Sequence, residues 1–333
     1  MNVIQKQIVI IGAGPSGAGA ALRLSRAGYR DILILDRFDR IGGIAGKYCH
    51  LGRPTFVRWS TGRILHGPEY ADRLARKLTR AGIETRLETT VLRFLPEEKE
   101  LQVVSAREGA YRVRADTVLF ACGARERTRV ERGWIFGQRP ARVYHTLHLL
   151  ELMSHSTEIP PARFHLLGSE EIAYSLAEKL GHVNGAPLLI DHEESPGCSL
   201  FSRLYFFRKG QPRRIPAVRE IRIQGQQGME GIVLKNASSE SIPADNLILT
   251  GNLIPNTELL ATASIPFSAE TRQILPEALK KLQGQGIFIT GNMQGSTSGG
   301  ERAYLSGFMT AARIMNYLKS NREPGQSVDL DQG

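Results

Sequence analysis

The chain has 333 residues, 41% of them hydrophobic and 23% charged, with 43 Lys and Arg against 33 Asp and Glu for a formal net charge of +10. That length exceeds what one hydrophobic core usually serves, so two domains are expected, and the composition is that of a folded chain rather than a disordered or fibrous one. No run approaches the roughly 18 consecutive apolar residues of a membrane-spanning helix, and residues 1–6 lack the basic and apolar regions of a signal peptide, so a cytoplasmic protein is expected.

Residues 7–11, Gln-Ile-Val-Ile-Ile, form a short β-branched run that predicts a strand, and it ends in Gly12-Ala13-Gly14-Pro15-Ser16-Gly17. Ala18, Ala20, Ala21, Leu22 and Leu24 follow with the small side chains of a helix that lies close to a sheet. Strand, glycine turn and helix occur in the order a dinucleotide site needs. Gly12 permits the tight turn, Gly14 lets main chain approach a pyrophosphate, and Gly17 lets helix and strand pack closely. Pro15 and Ser16 open the helix, whose unpaired amides attract phosphate charge. A second apolar run at 32–35 ends in Asp36, 19 positions after Gly17, where an acid bonds to an adenosine ribose, and Arg37 follows it.

Three later segments repeat the pattern of a strand running into glycine: residues 117–123, which include Ala121 and Gly123, residues 247–251, and residues 286–292, which end in Gly291-Asn292. With Gly12-x-Gly14-x-x-Gly17, Asp36 and the Gly42-Gly43 pair, these resemble the two-dinucleotide-binding-domain flavoproteins, the superfamily of glutathione and thioredoxin reductases. The resemblance implies FAD at the first turn, with Gly42 and Gly43 running beside the flavin. It identifies the three strands with a crossover strand, its return and a carboxy-terminal flavin motif. That last motif usually ends in Gly-Asp, and Asn292 keeps the hydrogen bond without the charge. Residues 298–303 and the spacing of Leu305, Phe308, Met309, Ala312 and Ile314 predict a helix after it, whose first amides would point toward the isoalloxazine carbonyls and stabilise negative charge on reduced flavin, with a plain packing helix as the alternative. The implied fold is α/β, with two Rossmann-like domains, each a parallel sheet with helices plus a small antiparallel sheet. The FAD domain would comprise residues 1–125 and 245–333, and residues 126–244 would be inserted into it.

The inserted segment repeats the opening at Gly168, but there the turn reads Gly168-Ser169-Glu170-Glu171-Ile172-Ala173. Glu170 stands where main chain should approach pyrophosphate, so its carboxylate repels phosphate and its bulk fills the space. Ala173 replaces the third glycine, and residues 187–191 supply a second strand ending in an acid, Asp191. A nucleotide-binding architecture without efficient NAD(P)H binding is expected.

Gly42-Gly43-Ile44-Ala45, Cys49-His50, Gly67-Pro68-Glu69-Tyr70-Ala71, Cys122-Gly123-Ala124-Arg125-Glu126-Arg127 and Gly137-Gln138-Arg139-Pro140 resemble the FAD-containing subunits of opine oxidases, hydrogen cyanide synthases and sarcosine-oxidase-like dehydrogenases. This closer resemblance implies oxidation of a C–N bond in a small amino or imino acid. It also implies electron transfer to a second oxidoreductase subunit or an iron-sulfur protein, since three cysteines cannot hold a cluster domain here. An NAD(P)H-dependent reductase and a flavin-binding structural subunit remain the competing readings.

For proton handling near neutral pH a histidine is the natural group, and His50 follows the Gly42-Gly43 loop. His66, His145 and His148 are weaker candidates. Arg125 and Arg127 could hold a phosphate or substrate carboxylate, with Glu126 paired to one of them. Cys49, Cys122 and Cys198 are too far apart for a C-x-x-C pair or a zinc site, so no metal is expected. From 200 to 222, Arg203, Arg208, Lys209, Arg213, Arg214, Arg219 and Arg222 stand against Glu220 alone, a net +6, beside Phe201, Leu204, Tyr205, Phe206 and Phe207. That composition is expected to contact a protein partner or a membrane surface peripherally. Nucleic acid is not expected.

Overall fold

The computed structural model describes residues 3–47, 56–58, 63–65, 67–155, 162–184, 187–198, 212–236, 239–295 and 299–321. The chain divides into two compact units, one of 1–49, 54–125 and 254–333, the other of 126–253 with 50–53.

In the first unit the strands run in the order Glu84–Arg86, Ile32–Leu35, Val3–Ile11 and Gly109–Phe120, all parallel, with Ile287–Ile289 also parallel to the last. Gly109–Phe120 plays two parts because its sequence changes character midway. Its first part alternates exposed and buried positions and pairs antiparallel with Glu100–Ser105. Its last four residues are all buried, and 118–120 pair parallel on both sides. Alternation suits a sheet wet on one face, and a continuous apolar run suits one covered on both.

Period-two geometry sends Ile8, Ile10, Ile32 and Ile34 to one face, against the helix Pro15–Arg26 and the closing helix Gly300–Ser320. Val9, Ile11, Leu33 and Leu35 go to the other, against Phe94, Leu101 and Val103. The two helices meet at glycines: a β-carbon on Gly307 would lie 1.8 Å from the Ser16 carbonyl oxygen, and one on Gly19 would lie 2.5 Å from that of Tyr304. Arg23 completes the contact, donating to the Phe308 carbonyl at 2.7 Å.

The closing helix buries Ala303, Gly307, Thr310, Ala311, Ile314 and Leu318. This corrects the expected packing face: Leu305 and Met309 point outward, because close approach to the first helix demands small residues on the buried side.

The second unit has a five-stranded parallel sheet ordered Val143–His145, Asn246–Leu249, Phe164–Leu167, Leu188–Ile190 and Arg214–Ile215. The helices Thr146–His155 and Glu171–Asn184 accompany it, and a four-stranded, largely antiparallel sheet joins Ile135–Gly137 to Glu220–Gln224, Gly231–Lys235 and Ser239–Pro243. Asn246–Leu249 sits inside this parallel sheet, bonded on both edges. The strand expected to return into the FAD domain therefore belongs to the inserted unit, and the second junction lies at Leu253/Ile254 rather than at 244/245. The architecture is α/β, with parallel strands, helices and a small antiparallel section in each unit.

Candidate cofactor site and its closed counterpart

At the first turn the Gly12 amide donates to the Leu35 carbonyl at 2.8 Å, and Gly12 itself has φ +113°. A β-carbon there would lie 2.4 Å from the Ala121 carbonyl oxygen, and one on Gly17 would lie 1.9 Å from that of Gly12. Both glycines are therefore required by backbone approaching backbone. Gly14 is different: its φ is −70°, which any residue adopts, and a β-carbon would meet no atom within 4 Å. The space in front of Gly14 is open, next to a helix that starts at Pro15 with no side-chain cap on its amides. An anionic pyrophosphate fits such a cradle.

Asp36 is buried at the end of its strand, and its carboxylate accepts from the Ala13 amide at 2.6 Å and the Phe38 amide at 2.9 Å. Arg37 beside it is exposed, with its guanidinium 5.0 Å from the Phe38 ring centre. The paired glycines close on the turn: the Gly42 amide donates to the Ala13 carbonyl at 3.0 Å, and a β-carbon on Gly43 would lie 3.2 Å from the Gly14 Cα. Gly291 approaches from the last strand, where a β-carbon would lie 2.6 Å from the Ser16 Oγ, and its amide donates to the Ser306 Oγ at 3.1 Å. Asn292 follows in the same turn. Ala121 packs on Gly12, while Gly123 has φ +70° with open space before its missing side chain.

The expected catalytic residues do not form one described cluster. His50, like Cys49 and His66, lies outside the described residues. Arg125 ion-pairs with Glu258 in the first unit. Glu126, in the second unit, accepts from the Thr146 and Leu147 amides, at 3.1 Å each, and so caps the helix Thr146–His155. Burial pushes its carboxyl up to about 7, against the pull of those amides and of the Arg132 guanidinium. His145 ends a strand, and burial lowers its pKa. The Cys122 thiol is pushed up to about 12 by desolvation, which leaves it protonated and unreactive.

The second turn begins as the first does. The Gly168 amide donates to the Ile190 carbonyl at 2.8 Å, with φ +137°. Glu170 then turns back over the turn, accepting from the Thr250 Oγ1 at 3.1 Å and from the Asn252 amide at 3.2 Å. A β-carbon on Gly251 would lie 2.0 Å from the Glu170 Cδ, and one on Gly197 would lie 3.3 Å from its Cγ. Where the first turn has Gly14 with open space before it, this turn therefore carries a side chain whose carboxylate lies against Thr250, Gly251 and Asn252. Burial raises its pKa, opposed by the Thr250 hydroxyl and by Arg132. Arg132 in turn donates to the Thr250 carbonyl at 3.1 Å.

Asp191, the counterpart of Asp36, is also engaged. It accepts from the Ser169 hydroxyl, from Arg214 at 2.9 Å and from the Glu193 amide at 3.1 Å. A ribose hydroxyl arriving here would have to displace a charged partner. Ala173 is fully buried, so the third glycine of the motif is not needed for this packing. Of the basic stretch, Arg214 is thus bound to Asp191, Arg222 pairs with Glu220, and residues 199–211, with the aromatic cluster, lie outside the described residues.

Sequence reasoning missed Arg132, Thr250, Arg214 and Ser306. Their partners lie far away in the chain, and only Arg214 left a trace, as one charge in a run.

Residues 6–131 match the family of pyridine nucleotide-disulphide oxidoreductases. An opine oxidase subunit from Rhizobium meliloti is 27% identical, over 91% of this chain and 61% of that protein. The soluble pyridine nucleotide transhydrogenase of Serratia proteamaculans is 23% identical, over 93% of this chain and 70% of that one. Thioredoxin reductase of Lactococcus lactis shares the fold, with a TM-score of 0.71 at 16% identity, over 95% of this chain and 99% of that structure. This chain spans less than two thirds of the opine oxidase subunit. The fold is thus shared with thioredoxin reductase, and the likeness to the pyridine nucleotide-disulphide oxidoreductases lies in residues 6–131, which hold the first turn, Asp36 and the Gly42-Gly43 pair.

Proposed function

We propose that this chain is the FAD-carrying subunit of a dehydrogenase that oxidises a carbon–nitrogen bond of a small amino or imino acid, with electrons leaving to a partner protein and not arriving from NADH or NADPH. The observation that carries the second half is Glu170, which stands at the position matching Gly14 and puts a buried carboxylate against Thr250, Gly251 and Asn252 at the second turn. The first half is supported by the likeness to the opine oxidase subunit over most of the chain.

Gly12, Gly14 and Gly17 with the first amides of the helix Pro15–Arg26 would hold the pyrophosphate, Asp36 the adenosine ribose, and Gly42, Gly43, Gly291 and Asn292 the remainder of FAD. Bound there, FAD supplies a two-electron acceptor for a hydride from the carbon next to nitrogen. The substrate also loses the nitrogen's proton, becomes an imine, and is hydrolysed by water to a carbonyl compound and an amine. Glu126 acts as a helix cap, with both carboxylate oxygens held by amides.

The competing reading, an NAD(P)H-dependent reductase, draws on the transhydrogenase relative. The closed second turn and the Asp191–Arg214 pair count against it. Anaerobic mixing of the flavin-loaded protein with a panel of opines, amino acids and imino acids, followed by addition of a dye acceptor, separates the two. Loss of the flavin's visible absorbance before the dye is added, with matched carbonyl product, supports the dehydrogenase. A panel that leaves the flavin oxidised while a nicotinamide nucleotide reduces it would overturn the proposal.

A further inference from the structure

The closing helix carries an apolar stripe on its outer side. Arg302, Leu305, Met309 and Arg313 follow at spacings of three and four, which puts them on one face of a helix. Leu305 is 53% exposed and Met309 63%, while Ala303, Gly307, Thr310 and Ala311 lie on the buried side. A shallow groove of about 260 Å³ is lined by the four side chains of the stripe, by Ser306 and Thr310 of the same helix, and by Gln294. Arg302 and Arg313 make no ion pair or hydrogen bond among the described residues.

A single exposed leucine needs no explanation. Two neighbouring long apolar side chains lining a groove, flanked along the helix by guanidiniums that pair with no described residue, have the composition of an interface centre with a charged rim. The two arginines are eleven positions apart, so they stand about 16 Å from one another along the helix axis.

The charge pattern also selects the occupant. Any two-fold pairing of this face with a second copy, parallel or antiparallel, sets arginine opposite arginine, and like charges across an interface disfavour the complex. A lipid surface would ask for a broader apolar face than two side chains provide. We infer that the outer face of Gly300–Ser320 is the docking site for an acidic protein partner, one that offers an apolar centre flanked by two carboxylates about 16 Å apart. The buried face of the same helix packs on Ser16 and bonds Gly291, so a partner seated there would stand on the element that backs the first turn. The inference rests on the proposed function only for the existence of a partner.

The test uses the flavin-loaded full chain and two synthetic helical peptides, identical except that a Leu-Leu centre is flanked by glutamates eleven positions apart in one and by lysines in the other. Fluorescence anisotropy should show binding of the glutamate peptide alone. That binding should weaken about tenfold in the Arg302→Glu/Arg313→Glu variant and fall with added salt, while the lysine peptide gains affinity for the same variant. Met309→Asp should abolish binding of the glutamate peptide without loss of flavin. Equal binding of the two peptides, binding of neither, or indifference to these substitutions would overturn the inference. So would sedimentation of the wild type as a dimer that Leu305→Asp splits, which would assign the face to a second copy, or co-pelleting with phosphatidylserine vesicles, which would assign it to lipid. None of these readouts depends on which compound reduces the flavin, so the inference and the proposed function can fail separately.

Discussion

At Gly12 and at Gly168 the chain makes the same first move: a glycine at positive φ donates its amide, at 2.8 Å, to the carbonyl ending the neighbouring parallel strand. Two residues later the turns part. Gly14 leaves open the space that a side chain would enter, and at the matching position Glu170 carries a carboxylate held by Thr250 and Asn252. Asp36 accepts from amides of its own turn, whereas Asp191 carries the Arg214 guanidinium as well. The residues that fix strand against helix are thus separable from those that face a ligand, and a turn can keep its fold while losing its ligand.

The sharpest way to break this comparison is at the third glycine. Gly17→Val puts a β-carbon 1.9 Å from the Gly12 carbonyl oxygen, backbone that cannot yield, and a loss of more than about 4 kcal/mol is expected. Thermal unfolding and flavin content should collapse together. Ala173→Gly, at the matching position of the second turn, should shift stability by only about 1 kcal/mol, the helix-propensity cost of glycine.

Copying the second turn into the first tests the ligand-facing position. Gly14→Glu should reduce flavin affinity at least about 100-fold through bulk and charge at the pyrophosphate position. The unfolding temperature of the flavin-free protein should barely move, because a side chain at Gly14 meets open space. A flavin-free midpoint that drops as it does for Gly17→Val would show that the two glycines share one structural role.

Glu170→Gln sharpens the other side. Because burial raises the folded-state pKa of Glu170, the neutral form suits the fold, and the wild type loses stability as pH rises through that range. The variant stays neutral and should lack this part of the loss when denaturant midpoints are compared across pH.

Glu126 adds a pH window set by its own carboxyl. Its folded value of about 7 lies above the ordinary 4.5, so the stability it contributes is complete below about 4.5 and declines as pH climbs to 7. Glu126→Gln should remove that decline, of the order of 3 kcal/mol, and leave flavin content unchanged.

The first turn was legible because its determinants are local: glycine spacing, a β-branched run before it and an acid 19 positions after Gly17. Glu170 was legible as a misfit for the same reason. What it binds was not, since Thr250 and Asn252 lie some 80 positions further on, and Arg214 joins Asp191 only once the five strands of that sheet have paired. Residues 247–251 have the composition of any buried parallel strand, and composition does not say which sheet a strand enters. The closing helix misled in another way. Its apolar spacing pointed Leu305 and Met309 inward, but the buried face carries Gly307, Ala303 and Ala311, whose small size matters more there than hydropathy.

Whether one turn receives a dinucleotide while the other cannot is addressed directly by anaerobic calorimetric and absorbance titration of the flavin-loaded wild type with NADH and with NADPH. No heat of binding and an unchanged flavin spectrum are predicted up to millimolar nucleotide. Saturable binding at micromolar concentration, with bleaching of the flavin, would contradict the closed second turn.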